Sequence, residues 1–256
     1  MALAQAVRSM SALAHHPGRA AGRGFTLLEL MIVLAIVGIV TSMAAATATQ
    51  IGARNATQNA SSDLSSLLQK ARARAEQRGG DIYVLVYPRM TQAGAMTGGS
   101  GAVFVYEDMN GDFLTGNGAC NGTGTADCSW TNFSPPNNIK GPATSKDTLV
   151  DIVYLDSYPK KNVKFGKPAS GAGSTWNAPF AGIGTTANTN GCSFCGTTTH
   201  KGAIVFTGEQ AVRFLDDTGA PVAQRVAGVA LQAVDNPNNT FLFGLVGSTG
   251  LVTLVK

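Results

Sequence analysis

Three oxygen-bearing side chains recur at alternate positions in the middle of the chain. Asp108, Asn110 and Asp112 repeat the first three ligand positions of an EF-hand calcium loop. The later positions differ from that loop, because Phe113 stands where it has glycine and Ala119 where it has glutamate. The segment therefore fits either a turn rich in Asp and Asn or a calcium site of modest affinity.

The four cysteines of the sequence fall into two groups, Cys120 with Cys128 and Cys192 with Cys195. Four cysteines allow three connectivities, and pairing within each group is favoured because each pair lies within one loop. A zinc site with four cysteine ligands is an alternative, although the paired C-x-x-C spacing of such sites is lacking. A redox centre is a further alternative, but it needs its C-x-x-C at the start of a helix, and here the surrounding residues are Thr, Asn and Gly.

The sequence offers no set of residues suited to catalysis. His200 is the only histidine after His16. The chain contains no G-x-S-x-G, no phosphate-binding loop and no H-E-x-x-H. We predict that the protein is not an enzyme and that calcium is the one candidate among cofactors.

One segment is strongly apolar and begins at Phe25. From Phe25 to Ala46 nearly every residue is apolar or small, and a helix of that length spans about 33 Å, the thickness of a bilayer core. The residues before it include Arg8, Arg19 and Arg23 and no acid. This bias predicts a single-pass protein with its N-terminus in the cytoplasm and the remainder outside, where disulfides are permitted.

Glu29 is the one charged residue of the apolar segment, where a carboxylate costs about 2–3 kcal/mol. A polar leader ends at Gly24 and the apolar segment follows it. In a secretory signal peptide the apolar segment comes before the cleavage site instead. Cleavage after Gly24 would create a new α-ammonium on Phe25, which could pair with Glu29 of another copy in a stack of subunits. The alternative is an ordinary signal anchor with Glu29 at the headgroup boundary.

The run Gly24-Phe25-Thr26-Leu27-Leu28-Glu29 resembles the class III prepilin motif of type IV pilins and type II secretion pseudopilins. The resemblance implies cleavage after Gly24 and N-methylation of Phe25 by a prepilin peptidase, with Glu29 directing assembly. It also implies that the partners are other pilins or pseudopilins, an assembly platform and the inner membrane. Residues 1–24 would then be a cleaved leader peptide.

The pattern predicts one helix over residues 25–78, with a membrane half followed by an amphipathic half. Cations in its last turns suit the negative end of a helix, and Gly79 is a natural cap. A solvated helix end is favoured over a nucleic-acid patch. The apolar face comprises Ile51, Leu64, Leu67, Leu68, Ala71 and Ala75.

Residues 79–256 are predicted to form an extracytoplasmic, β-rich head. Eight short segments rich in β-branched and aromatic residues are typical of strands, so the fold class is α+β, with antiparallel β-sheet packed against the long helix. The segments are 81–87, 102–106, 150–155, 203–206, 212–215, 229–234, 240–246 and 251–255. Two stretches, 108–148 and 166–201, read as long loops that face a partner.

The junction from Asp63 to Gly79, the run Ile204 to Gly208 and the turn at 247–250 resemble the GspH/FimT pilins, which include the FimU-like minor pilins. DNA-binding members carry Gly-Arg-x-Arg in the last turn, whereas Gly250 here precedes Leu251-Val252-Thr253. Nucleic acid is therefore not an expected partner. The resemblance implies a minor pilin or pseudopilin acting in filament initiation or at the tip. A tip-exposed binding module for a surface, a secreted substrate or DNA is the alternative, and a membrane protein outside any filament is a third.

Overall fold

The computed structural model describes residues 25–122, 127–141, 143–144, 146–166, 191–196, 198–223, 225–247, 249 and 251–255. The predicted leader, residues 1–24, lies outside them. The chain divides into two compact units, one ending at Thr47 and the other beginning at Ala48.

Helix α1 runs from Leu27 to Arg78. It ends because Gly79 takes a left-handed conformation (φ 71°), which only glycine adopts without cost. The Gly79 amide still donates to the carbonyl of Ala75 at 2.9 Å. The second half of the helix buries one face, as its period predicts. The buried apolar side chains of that face are Ala56, Ala60, Leu64, Leu67, Leu68, Ala71 and Ala75.

Nine strands follow the helix in the described part of the chain. They are β1 (Asp81–Tyr87), β2 (Ala102–Asp108), β3 (Thr148–Tyr154), β4 (Val163–Phe165), β5 (Gly202–Phe206), β6 (Val212–Leu215), β7 (Val226–Ala233), β8 (Thr240–Val246) and β9 (Leu251–Val255). Short 3₁₀ turns at Leu155–Ser157 and Pro159–Lys161 connect β3 to β4. Eight of the strands fall on predicted segments. The three-residue β4 was missed, because so short a strand carries no readable alternation.

The strands form two antiparallel sheets. The first has five strands in the order β3-β2-β1-β5-β6, and the second has four in the order β4-β7-β8-β9. Every paired neighbour is antiparallel. The predicted α+β class, with a long helix and an antiparallel head, is confirmed.

Alternate residues of β1 enter two different cores. Ile82 and Val84 pack with the buried face of α1 and with the second sheet. Tyr83 and Leu85 point to the opposite face of the first sheet and belong to a separate aromatic core. Because successive strand residues alternate between faces, a strand buried on both sides reads as a continuous apolar run.

The stretch 108–148 was predicted to be a long loop without regular structure, and part of its described residues is instead buried. Phe113, Trp130, Phe133 and Ile139 are buried and cover the outer face of the first sheet. The Phe113 ring lies 4.6 Å from that of Tyr106, measured between ring centroids. This burial cannot be predicted from the sequence, because the four apolar residues have no regular spacing within a segment rich in Gly and Asn. Of the second stretch, residues 167–190 lie outside the described part of the chain.

Candidate assembly site at the start of the helix

Thr26 and Glu29 form a reciprocal cap on the first turn of α1. The Thr26 amide and hydroxyl both donate to Glu29 Oε2 at 3.2 Å. The Glu29 amide in turn donates to Thr26 Oγ1 at 3.2 Å. This is a capping box, which needs Ser or Thr at the first position and Glu or Gln three residues later. Sequence reasoning had assigned Glu29 to assembly alone and missed the T-x-x-E signal.

The capping box gives Glu29 a local role that does not use its charge. A neutral glutamine oxygen can accept the same hydrogen bonds, since the capping box tolerates Gln at that position. The carboxylate also complements the positive end of the helix dipole. Any further function of Glu29 must therefore be separated from capping by experiment.

The residues after the cap present an apolar surface all round the helix. Leu27–Ala45 is long and apolar enough to cross a membrane, judged by length and composition. None of this span is buried within the chain itself. Phe25, the predicted methylation site, is 84% exposed, and Gly24, the predicted cleavage site, lies outside the described residues. A helix apolar on every face has to bury itself in lipid or against other helices.

The structure contains two disulfides, Cys120–Cys128 and Cys192–Cys195. They are the two pairs favoured from the sequence. Both members of the first pair are buried. In this pairing the four sulfurs offer no thiolate ligands for the alternative zinc site.

Asp108, Asn110 and Asp112 lie together at the end of β2. Asp108 Oδ1 accepts from the Gly111 amide at 2.7 Å, and Asp108 Oδ2 accepts from the Phe113 amide at 3.1 Å. These bonds are those of the Asx-rich turn. The structure adds Asp147, which sequence reasoning missed because it stands 35 positions after Asp112 with no motif to link the two.

Asp147 is buried, and its Oδ1 accepts from the Met109 amide at 2.8 Å. Burial raises the pKa of the Asp147 carboxyl to about 7, and the charges of Asp108, Asp127 and Asp112 add to the increase. The Met109 hydrogen bond opposes this rise in pKa. The raised pKa marks Asp147 chiefly as a buried carboxyl group, with like charges as a smaller contribution.

The prokaryotic N-terminal methylation motif matches residues 19–45. No curated protein and no solved structure matches the chain. The matched residues cover the predicted cleavage site, the Thr26–Glu29 capping box and the apolar span. The methylation motif and the apolar helix that follows it together fit a type IV prepilin-like protein.

Proposed function

We propose that the protein is a minor pilin or pseudopilin, a non-catalytic subunit that acts in initiation or at the tip of a type IV pilus or type II secretion pseudopilus. The observation that carries the proposal is the exposed apolar helix, which bears a single carboxylate, Glu29, in its first turn. The proposed location is the inner membrane with the head outside the cytoplasm, and the filament after assembly. The narrower placement with the GspH/FimT pilins belongs to the same proposal.

Packing in a filament would bury the apolar surface of this helix and would also give its single carboxylate a partner. Its apolar side chains leave lipid for the equally apolar flanks of neighbouring helices. Glu29 then enters an environment of low dielectric, where an unpaired carboxylate is costly. The α-ammonium of Phe25 in an adjacent subunit, exposed by cleavage after Gly24, is the available partner. Pairing of these two groups would select the correct axial register between subunits.

A low-copy position is supported by the head. Its two cores, two sheets and two disulfides make it larger than a repeated rod component usually needs. The described surface offers no nucleophile–base pair, so the proposal includes no catalytic step. Prepilin peptidase and an assembly platform are the partners that such a subunit requires.

Glu29→Gln in the full chain, expressed in its own cell, tests the charge of Glu29 separately from its cap. The variant keeps an acceptor for the Thr26 hydrogen bonds and loses the charge. We expect normal cleavage and membrane insertion, with recovery in sheared filaments or in crosslinks to other pilins reduced at least about tenfold. Tenfold corresponds to roughly 1.4 kcal/mol, less than the cost of leaving one partner of a buried pair unpaired.

Thr26→Ala is the matched control, because it removes the capping hydroxyl and keeps the charge. It should cost about 1 kcal/mol of helix stability and leave incorporation near the normal level. Normal incorporation of Glu29→Gln would overturn the assembly role of the charge. Loss of incorporation in Thr26→Ala together with normal incorporation of Glu29→Gln would show that Glu29 acts only as a helix cap.

A further inference from the structure

Three carboxylates from separate segments meet where β2 ends and β3 begins. The β2–β3 register pairs Glu107 with Thr148, so Asp108 and Asp147 flank that pair at one end of the sheet. Asp112 joins them from the loop after β2. One carboxylate oxygen from each aspartate lies within 4.8 Å of the other two. A set of oxygens at this spacing matches the ligands of a hard divalent cation.

Asp147 offers a carboxylate in place of the last ligand of the EF-hand loop. Asp108, Asn110 and Asp112 match the start of an EF-hand loop, but Ala119 stands at the position of its last, bidentate ligand. The antiparallel pairing of β2 with β3 brings the Asp147 carboxylate to the cluster instead. The missing ligand therefore comes from a second strand, which no linear pattern could reveal.

Asp127 and Asn110 lie at the outer side of the cluster. Asn110 Nδ2 donates to Asp127 Oδ2 at 2.7 Å, and Asn110 Oδ1 accepts from the Asp112 amide at 3.2 Å. Asp127 directly precedes Cys128, so the Cys120–Cys128 disulfide restrains its position. Four aspartates and one amide oxygen thus lie near this end of the sheet, and of these only Asp127 is within the loop that the disulfide closes.

The carboxylates of the cluster are buried, although burying several like charges close together is unfavourable. Asp108 is 1% exposed and Asp147 is 5% exposed. Asp112 Oδ1 is also buried, and it accepts no hydrogen bond from any described residue. Buried carboxylates are stable when they are paired, protonated or bound to a metal.

Tyr106 provides an independent observation that a ligand belongs here. Its side chain is 0% exposed, and its hydroxyl has no hydrogen-bond partner in the described part of the chain. Burial raises the pKa of Tyr106, and the further causes are the charges of Asp147, Asp127, Asp108 and Asp112. The hydroxyl belongs to a ring that projects from the same face of β2 as Asp108 and that packs against Phe113, the residue after Asp112. Buried polar groups are nearly always satisfied, and an ion with its bound water would satisfy this one.

We propose that Asp108, Asp112 and Asp147, completed by Asn110 and Asp127, bind a calcium ion that joins the loop after β2 to the start of β3. Every ligand is an oxygen, as calcium prefers, and the set combines the end of a strand with loop positions, which suits the irregular coordination of calcium. Magnesium demands a stricter octahedral arrangement and keeps more of its water. The bound ion would hold Phe113 and Trp130 over the outer face of the first sheet.

The test uses the full-length chain in detergent, stripped of metal with a chelator. Thermal unfolding is followed by near-ultraviolet circular dichroism in chelator, in millimolar calcium chloride and in millimolar magnesium chloride. We expect calcium to raise the Tm by several degrees, because an ion that binds only the folded state stabilises it. Magnesium should produce a clearly smaller shift. Equal Tm values in calcium and chelator, or equal shifts with both ions, would overturn the proposal.

Asp147→Asn should abolish the calcium shift, and the control Asp235→Asn, an exposed position in a turn, should retain it. The asparagine keeps an oxygen for the Met109 amide, so the variant is expected to fold. A full calcium shift in Asp147→Asn would refute the assignment.

Terbium luminescence gives a readout that does not depend on unfolding. Terbium replaces calcium, and the aromatic rings near the site sensitise its emission. We expect emission from the unaltered protein that calcium competes away. Tyr106→Phe keeps the ring and removes the hydroxyl, and it should weaken calcium competition several-fold. Absence of sensitised emission, or unchanged competition in Tyr106→Phe, would contradict the proposed site.

Discussion

Arg74 Nη2 lies 2.6 Å from Glu107 Oε2, and this ion pair connects the last turns of α1 to strand β2. Glu107 is 3% exposed, whereas the Arg74 side chain is 35% exposed. Thr148 donates to the same carboxylate oxygen at 3.3 Å, and Arg78 Nε lies 3.6 Å from the other. The cations at the end of the helix therefore do more than complement its dipole, because Arg74 compensates a buried charge.

The two partners of this pair should respond unequally to substitution. Arg74→Met leaves the buried Glu107 carboxylate with the Thr148 hydroxyl and the longer Arg78 contact, at a cost of about 2–3 kcal/mol in unfolding free energy. Glu107→Gln keeps an acceptor for Arg74, whose side chain can also reach water, and should cost about 1 kcal/mol. Denaturant unfolding of the full chain in detergent measures both.

Arg72→Met is the control for the Arg74 prediction. Arg72 pairs with Glu76 at 3.1 Å on the exposed face of the same helix, where such pairs contribute about 0.5 kcal/mol or less. If Arg72→Met and Arg74→Met lower the unfolding free energy equally, the Arg74–Glu107 pair contributes no more than an exposed ion pair.

Phe113 should be among the most sensitive positions in the head. Its ring is fully buried against Tyr83, Tyr106 and Trp130. Phe113→Ala should destabilise the protein by about 3–5 kcal/mol, because it removes a large buried side chain and leaves a cavity. Leu114→Ala changes the next residue, which is 37% exposed, and should stay within about 0.5 kcal/mol of the unaltered protein. Similar losses in the two variants would contradict the aromatic core.

Processing at Gly24 can be read directly by mass spectrometry of the membrane-extracted protein. We expect a chain that begins at N-methylated Phe25. Gly24→Ala keeps a small residue that the peptidase can still process, whereas Gly24→Leu should leave the leader attached. A mature chain that retains residues 1–24 would contradict the prepilin processing prediction.

The disulfide between Cys120 and Cys128 should stabilise the loop that carries Phe113. Closing a ring of this size restricts the unfolded chain by about 2–3 kcal/mol in the chain-entropy treatment. The double variant Cys120→Ser with Cys128→Ser should lose about that much. Non-reducing peptide mapping of the exported protein should recover peptides linked 120–128 and 192–195. Four free thiols or stoichiometric zinc would contradict both pairings.

Local signals explain why most of the fold could be predicted from the sequence. The apolar run after Phe25, the helical period ending near Ala75 and the stop at Gly79 are each contained in one segment. The strands were predicted because β-branched and aromatic residues cluster between glycine-rich turns. A long helix and short strands depend mainly on their own residues, so their approximate bounds can be read without knowing the tertiary structure.

Local sequence is enough to recognise the long apolar segment, its methylation motif, the long helix and the β-rich class. Contacts between distant residues follow from the packing of several segments instead. The β2–β3 pairing brings Asp147 to Asp108, and packing on the outer sheet face turns Phe113 from a loop residue into a core residue. The charge of Glu107 is likewise compensated by Arg74, which belongs to the helix that packs against its strand. The physical reason is that register and packing are cooperative properties of several segments, whereas spacing within one segment records only local preference.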